Sequence, residues 1–548
     1  MEYTLSSYGT IQFISPYEIQ TLHEIKLIQT INDHAKLSFT GIIAEEKQDC
    51  CIEEARSSHT ITLHQIEDGN IVRTLFNGII SQVESKVVRD IYYITIEAIS
   101  HTYQMDVRKK SRSFQNKNML YTKLIEAITE PYPGSDYIDT VSEGSKINTC
   151  MIQYNETDWG FLKRMASHFG AVLIAAAASE KPKFWFGMAE GRTGQLFEHP
   201  YTVKKSFPLY RKAIENNEAD DPELNDYICY EVETTTFFTV GDRVTYKEKQ
   251  LVIIRVVTAI NNGVLTHTYT LMPEKGSRQT RIWNDLISGS FLEGRVLEVN
   301  KDTAKLHLQI DEKQDVSTAY SFPYATFYTA EGHSGWYCMP EIGDNVRLYF
   351  PTNREEKAVV MNAVRKESDS PKMDHPEKKY WGTPHEKEIL LAPEEMVITV
   401  SDKQGKSSLV TIHEEDGIEI RSDHPIVVTS KKNIEVQQAE TIHLEAGEAI
   451  YLVCGASSIV MDGNTDMQGT TVEMEGLLKP PVVVSEREEE QLASEEWDAE
   501  AIELAQNLDG MLPSNFDTIE LLKRQEMSSF LTASIPFVGK AGRADRKV

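Results

Sequence analysis

Cysteine is scarce in this chain: six residues among 548, at Cys50, Cys51, Cys150, Cys229, Cys338 and Cys454. None sits in a C-x-x-C pair, so neither a disulfide framework nor a zinc site is indicated. The adjacent Cys50 and Cys51 read as buried packing rather than redox chemistry. Long apolar runs are missing too, and no window reaches the ~20 residues that a membrane-spanning helix requires. Residues 1–14 carry neither a basic nor an apolar leader region, so synthesis and assembly in the cytoplasm are expected. Any action outside the cell then needs a delivery route other than general secretion. Positive charge is in short supply: 56 Lys and Arg face 84 Asp and Glu, a formal net charge of -28. That balance disfavours nucleic acid and anionic lipid surfaces, both of which need clustered Lys and Arg. The G-x-S-x-G, H-E-x-x-H, Walker and G-x-G-x-x-G motifs are absent. With 84 carboxylates, a glycosidase-like pair can be proposed anywhere and none stands out. No catalytic residue, cofactor or metal is expected, and the protein reads as structural rather than enzymatic.

What is present is an eight-residue repeat between Val410 and Leu452. Its apolar pairs are Val410/Ile412, Ile418/Ile420, Ile426/Val428, Ile434/Val436, Ile442/Leu444 and Ile450/Leu452. Each pair skips one residue, so both members point to one side of a short strand. Gly417, Pro425 and Asn433 precede three of the pairs and supply turns. A strand this short cannot bury its own apolar face, but stacked repeats cover one another. One chain coiling alone, three octads to a turn, would complete only about two turns, fewer than the ~3 units such stacks need. Three identical chains, each giving one octad per level, bring the apolar pairs onto a shared axis. The second arrangement is preferred and predicts an obligate homotrimer with a rod-like needle over 386–476. His413, His424 and His443 would be triplicated in it, but no His-x-His pair is present and they read as solvated surface.

The rest of the chain reads as mainly β and multidomain. Alternation at Ile25–Leu27, Leu37–Phe39, Ile61–Leu63 and Ile91–Thr95 predicts strands, and Asp68-Gly69 a hairpin turn. A helix is expected over about 118–130. A second begins at the Thr157-Asp158 cap, carries Trp159, Leu162, Met165, Ala166 and Phe169 on one stripe, and ends by Gly170. Strands resume over 171–280, with a turn at Asn261-Asn262-Gly263. Residues 286–365 predict a compact unit of short strands of OB type. Its aromatics have few basic neighbours, which argues against nucleic-acid binding there. Residues 366–385 are polar with three prolines and read as a linker.

Three stretches carry a family resemblance: SRSFQN at 111–116, QYNETDWGFLKRMASHFGAVL at 153–173 and VGDRVTYKEKQLVIIRV at 240–256. They resemble the hub half of the VgrG and phage late control gene D family, the baseplate hub and spike of contractile injection systems. The resemblance implies a hub of two β-barrel domains with short helices (1–285), an OB-fold domain (286–365) and a trimeric intertwined β-helical needle. It also implies a trimer of hubs forming a pseudo-sixfold ring that caps a tail tube. The implied partners are tail tube protein, baseplate wedge proteins, a PAAR-like tip protein and effector cargo, with the target membrane met only on puncture. The linker is too short to hold a glycan-cleaving domain, since domains need at least ~50 residues.

From Leu477 the composition changes to an acidic, helical extension, 477–548. Trp497, Leu504 and Leu508 form one helical stripe, and Leu521, Leu522 and Phe530 another. They are candidates either for folding back on the spike or for docking a tip protein or cargo. Two rival functions are a tail-associated cell-wall hydrolase and a trimeric fibre-type adhesin.

Overall fold

A computed structural model describes residues 3–473, apart from 8, 198–199, 216–221, 331–333, 365–371 and 373. The expected extension at 477–548, with Trp497, Leu504, Leu508, Leu521, Leu522 and Phe530, lies outside the described residues. The described residues are mainly β, with 46% strand against 12% helix. Two compact units divide it, one through His424 and one from Pro425.

The first unit is built on a 13-stranded sheet. From one edge its strands are Tyr3–Ser7, Ile11–Ser15, Thr60–Glu67, Asn70–Val88, Ile91–Ser100, Lys36–Ile42 and Thr21–Thr30. Lys249–Asn261, Val264–Met272, Ile228–Thr234 and Tyr201–Lys205 follow, and Arg243–Tyr246 joins Thr193–Gln195 to Lys249–Asn261. Alternation of side chains explains its inner faces. In Lys36–Ile42, Leu37 and Phe39 are buried, and in Thr60–Glu67, Ile61 and Leu63 are buried, while Ser38 and Thr62 between them point to the other face and are only partly buried. The hairpin turns fall where the sequence predicts them. Asp68 and Gly69 have φ of 51° and 78°, and Asn262 and Gly263 have 51° and 80°, the left-handed pairs that two-residue hairpins require.

The resemblance implies a hub of two β-barrel domains; among the described residues no barrel is closed. Thr21–Thr30 pairs along one edge with Lys36–Ile42 and along the other, from Lys26 to Thr30, with Lys249–Asn261. That second pairing makes one sheet continuous across both lobes. The sheet wraps two cores, one around Phe13, Phe39 and Phe76 and the other around Tyr246, Ile253 and Tyr269.

The helices Tyr121–Thr129 and Asp158–Ser167 form a third core between them. The Thr157 hydroxyl accepts the Gly160 N–H at 3.1 Å and caps the second helix as its sequence predicts. Gly170 ends it at φ 63°, with Ala171 N–H donating to Ala166 O at 3.0 Å.

Residues Phe291–Asn300, Thr303–Leu308, Ser321–Pro323, Asn345–Tyr349 and Val359–Ala363 form a five-stranded sheet. A single parallel bridge, Tyr324 to Val360, draws its two edges together, with Ala325 N–H donating to Val360 O at 2.8 Å. The core of this sheet is not entirely its own. Cys150 and Ile152, from the preceding region, are buried among Leu306, Leu348 and Phe350.

Beyond it lies an antiparallel five-stranded meander: Lys379–Gly382, Lys387–Leu391, Glu395–Ser401, Ser407–His413 and Gly417–Ser422. The first of these strands falls inside the polar segment read as linker. In the second unit, Ile450–Cys454, Ser457–Met461 and Thr465–Gln468 form a three-stranded antiparallel sheet.

Candidate functional site

The repeat that organises the sequence is treated differently along its length. In the first unit, Val410 lies opposite Ile420 and Ile412 opposite Ile418, because the first two octads form an antiparallel hairpin within one chain. In the second unit, Ile450 lies opposite Met461 and Leu452 opposite Ile459. The octads between, carrying Ile426, Val428, Ile434, Val436, Ile442 and Leu444, contain no strand. A three-residue strand needs a hydrogen-bonding neighbour, and the chain offers these octads none among the described residues. Of the twelve repeat side chains, Val410 and Ile450 are half-buried and the other ten are exposed, Ile418 at 71% and Val436 at 72%. Isolated exposed aliphatics are ordinary, but ten at fixed spacing form a surface that one chain leaves uncovered.

A second constellation, which sequence reasoning did not single out, lies where the Asp158–Ser167 helix meets the Phe291–Ala363 sheet. Arg164 is fully buried. Its Nη1 donates to Glu355 Oε1 at 2.7 Å, its Nη2 to Ile152 O at 2.7 Å and to Glu156 Oε2 at 3.0 Å. Burial works against the guanidinium charge, but Glu355 and Glu156 outweigh it and raise the Arg164 pKa. The same burial raises Glu156 despite the neighbouring Arg164. At the start of the same helix, Asp158 is completely buried and accepts from Lys110 at 2.5 Å, Tyr132 at 2.6 Å, Arg112 at 2.7 Å and Gln153 at 2.9 Å. Burial pushes its carboxyl up, but these donors together hold its pKa below the ordinary value.

Three further links cross the same boundary. Asp311 accepts from the Ser113 backbone at 2.6 Å and its hydroxyl at 2.5 Å. Gln115 donates to Leu306 O at 3.2 Å, and its Oε1 accepts from the Tyr320 N–H at 3.2 Å. Burial raises the Asp311 pKa. The SRSFQN and QYNETDW stretches thus supply one side of a polar seam whose other side comes from the small sheet. The arrangement holds two regions in register. The Arg164 stripe was hard to see because Asp158 and Arg164 read as ordinary polar positions beside an apolar face.

Of the histidines considered as ring ligands, His413 lies 3.4 Å from Asp416, His424 3.8 Å from Asp402 and His443 3.4 Å from Glu445. Among the described residues no group of three or more His, Cys, Asp or Glu is placed to hold a metal ion. Cys51 and Cys150 are buried, whereas Cys338 and Cys454 are exposed.

A family model described as the Alg8 N-terminal domain matches residues 67–181, a minority of the chain. No curated protein matches the sequence. Among solved structures, the chain is similar to an E. coli component of the type VI secretion system. The two share 14% identity over 64% of this chain and 99% of that one, at TM-score 0.47. It is also similar to a chain of the lidded Francisella PdpA–VgrG complex, at 10% identity over 75% and 80% of the two chains and TM-score 0.48. A third similarity is to the 43 kDa tail protein of prophage MuSo2 from Shewanella oneidensis. There the identity is 9% over 50% of this chain and 99% of that one, at TM-score 0.39.

Proposed function

We propose that the chain is a non-enzymatic central hub and spike of a contractile injection system of the VgrG and late control gene D kind. In this reading residues 1–285 form the hub that seats the tail tube, and residues 286–365 an OB-type module. The five-strand order with a parallel bridge from the third strand segment to the fifth supports the OB reading. The octads of three chains wind into a needle that leads the tube through the target envelope. A rod without free strand edges resists unfolding while it transmits force. The machine is assembled in the cytoplasm and the spike leaves the cell as part of the particle. Tube protein, baseplate wedges, a PAAR-like tip protein and cargo are the partners this role requires.

One observation carries the proposal: ten apolar octad side chains stand exposed in the single chain at eight-residue spacing. Burying each would contribute about 1.5–3 kcal/mol, so a shared axis is worth far more than the cost of bringing three chains together. Static light scattering on the full chain tests it. The expected mass is three times 62.2 kDa. A lone subunit persisting at micromolar concentration would remove the needle and the piercing role with it.

A further inference from the structure

Tyr201–Lys205 ends the large sheet, and its outer edge carries no strand among the described residues. Alternation puts Tyr201, Val203 and Lys205 on one face and Thr202 and Lys204 on the other. The two faces are charged differently. Lys204, on the second, is neutralised by Glu231 at 2.8 Å. On the first face stand three lysines that make no ion pair with any described residue. Lys247 Nζ lies 3.5 Å from the Tyr201 ring centroid, Lys249 Nζ donates to Tyr230 Oη at 3.1 Å, and Lys205 donates to Asn225 at 3.1 Å. Tyr230 is the cross-strand partner of Val203 and therefore shares that face.

Lys247 is held there at a cost. Lys247 and Glu248 make the two-residue turn between Tyr246 and Lys249, with φ of 50° and 63°, where Asn-Gly would be relaxed. Tyr201 and Val203 are about half exposed between these cations, at 47% and 52%. Three lysines without an ion pair among the described residues, around exposed apolar side chains, are unusual in a chain with a net charge of -28.

We propose that this edge is a docking site for an extended, acidic segment of a partner protein, which adds a strand beside Tyr201–Lys205. The partner's backbone would pair with the open edge, one apolar side chain would lie on Tyr201 and Val203, and its carboxylates would meet Lys205, Lys247 and Lys249. A nucleic acid strand fits less well. Phosphates cannot donate to the edge carbonyls, whereas a peptide backbone both donates and accepts. The site stands whether or not the chain is a spike.

The test uses the full-length protein and a fluorescein-labelled octapeptide of alternating Val and Glu, read by anisotropy. Saturable binding that weakens with salt is expected. The double variant Lys205→Glu/Lys247→Glu should weaken it about tenfold or more. Lys204→Glu, on the opposite face, should leave it within about twofold, and amide exchange over 201–205 should slow on binding. No binding would overturn the proposal, as would equal binding of an alternating Val and Lys peptide or equal losses from Lys204→Glu and the double variant. Tighter binding of oligo-dT would replace a protein partner with a nucleic acid. Protection over 201–205 that is already present without peptide and fades on dilution would make a second copy the occupant. Binding that emerges only when Glu218, Asp220 and Asp221 are neutralised would assign the site to the chain's own acidic residues.

Discussion

Arg164 and Glu355 lie 191 residues apart in sequence and 2.7 Å apart in space, with side chains 1% and 3% exposed. The contact joins a helix of the first region to the turn before Val359–Ala363, and nothing local in either segment announces it. Arg164 also neutralises Glu156 and satisfies Ile152 O, so one guanidinium serves three acceptors.

Removing that guanidinium should be costly. Arg164→Met leaves two carboxylates and a carbonyl buried without their donor. Breaking a buried pair from one side typically costs about 3–5 kcal/mol, and that loss is expected in urea unfolding of the full chain. Glu355→Gln keeps an acceptor for Nη1 and should cost about half as much or less. Combining Arg164→Met with Glu355→Leu should cost at least about 1 kcal/mol less than the two single changes added together. Simple additivity would mean that the two side chains are not coupled.

Mild acid should weaken the first unit through histidines rather than carboxylates. Burial pulls His168 down to about 3, helped by Arg281 and Arg164, and pulls His267 down to about 4, helped by Arg73. Both remain neutral in the folded protein while the unfolded chain binds protons from histidine's ordinary value of 6.5 downward. Their stabilising contribution is therefore complete above pH 6.5 and is lost as the pH falls toward the folded values. Each should add a slope of up to about 1.4 kcal/mol per pH unit. Asp158 acts in the same direction at lower pH, since its folded pKa lies below the ordinary 3.8. Urea midpoints at pH 7, 5 and 4 measure the slope, and His168→Gln with His267→Gln should flatten it. An unchanged slope in that double variant would place the protons elsewhere.

Local chemistry was legible in the sequence and long-range pairing was not. Thr157 caps its helix, Asp68-Gly69 and Asn262-Gly263 turn their hairpins, and Trp159, Leu162 and Met165 face a core, because each depends on neighbours within a few residues. The pairing of Lys26–Thr30 with Lys249–Asn261 depends on segments more than two hundred residues apart, and it merges what reads as two barrels into one sheet. Lys379–Gly382 is hidden by flanking prolines and charges, although Trp381 stacks on Trp336 at 4.7 Å. The octads are plain as a period, yet a period cannot say which chain supplies the next strand.

The octad surface supplies a third prediction. Ile434→Asp with Val436→Asp should weaken assembly by at least about tenfold, measured by sedimentation across a dilution series. Because both side chains are exposed in the single chain, the urea midpoint of the first unit should shift by no more than about 0.5 kcal/mol. Glu435→Lys, at the skipped position, should leave the mass unchanged. A mass that responds equally to all three changes would mean that the pairs do not face a common axis.

The shared core sets a final expectation about how the chain can be cut. Residues 286–365 read as a self-contained module, yet Cys150 and Ile152 are buried in the same core, and Glu355 and Asp311 accept from Arg164 and Ser113 across the boundary. Expressed alone, 286–364 would expose that apolar floor, and these two carboxylates would lose the donors that hold them. Loss of two buried aliphatic-sized side chains alone costs about 3–6 kcal/mol, comparable to the whole stability of a domain this small. The fragment should lack cooperative unfolding in urea and show collapsed amide dispersion in heteronuclear NMR. Residues 1–364 together should unfold in a single transition, because the seam from Ser113 to Asp311 and from Arg164 to Glu355 ties the sheet to the helices it packs against. Two separate transitions in 1–364, or a well-dispersed spectrum from 286–364, would show that the borrowed residues are dispensable and that the polar seam only decorates an interface between independent domains.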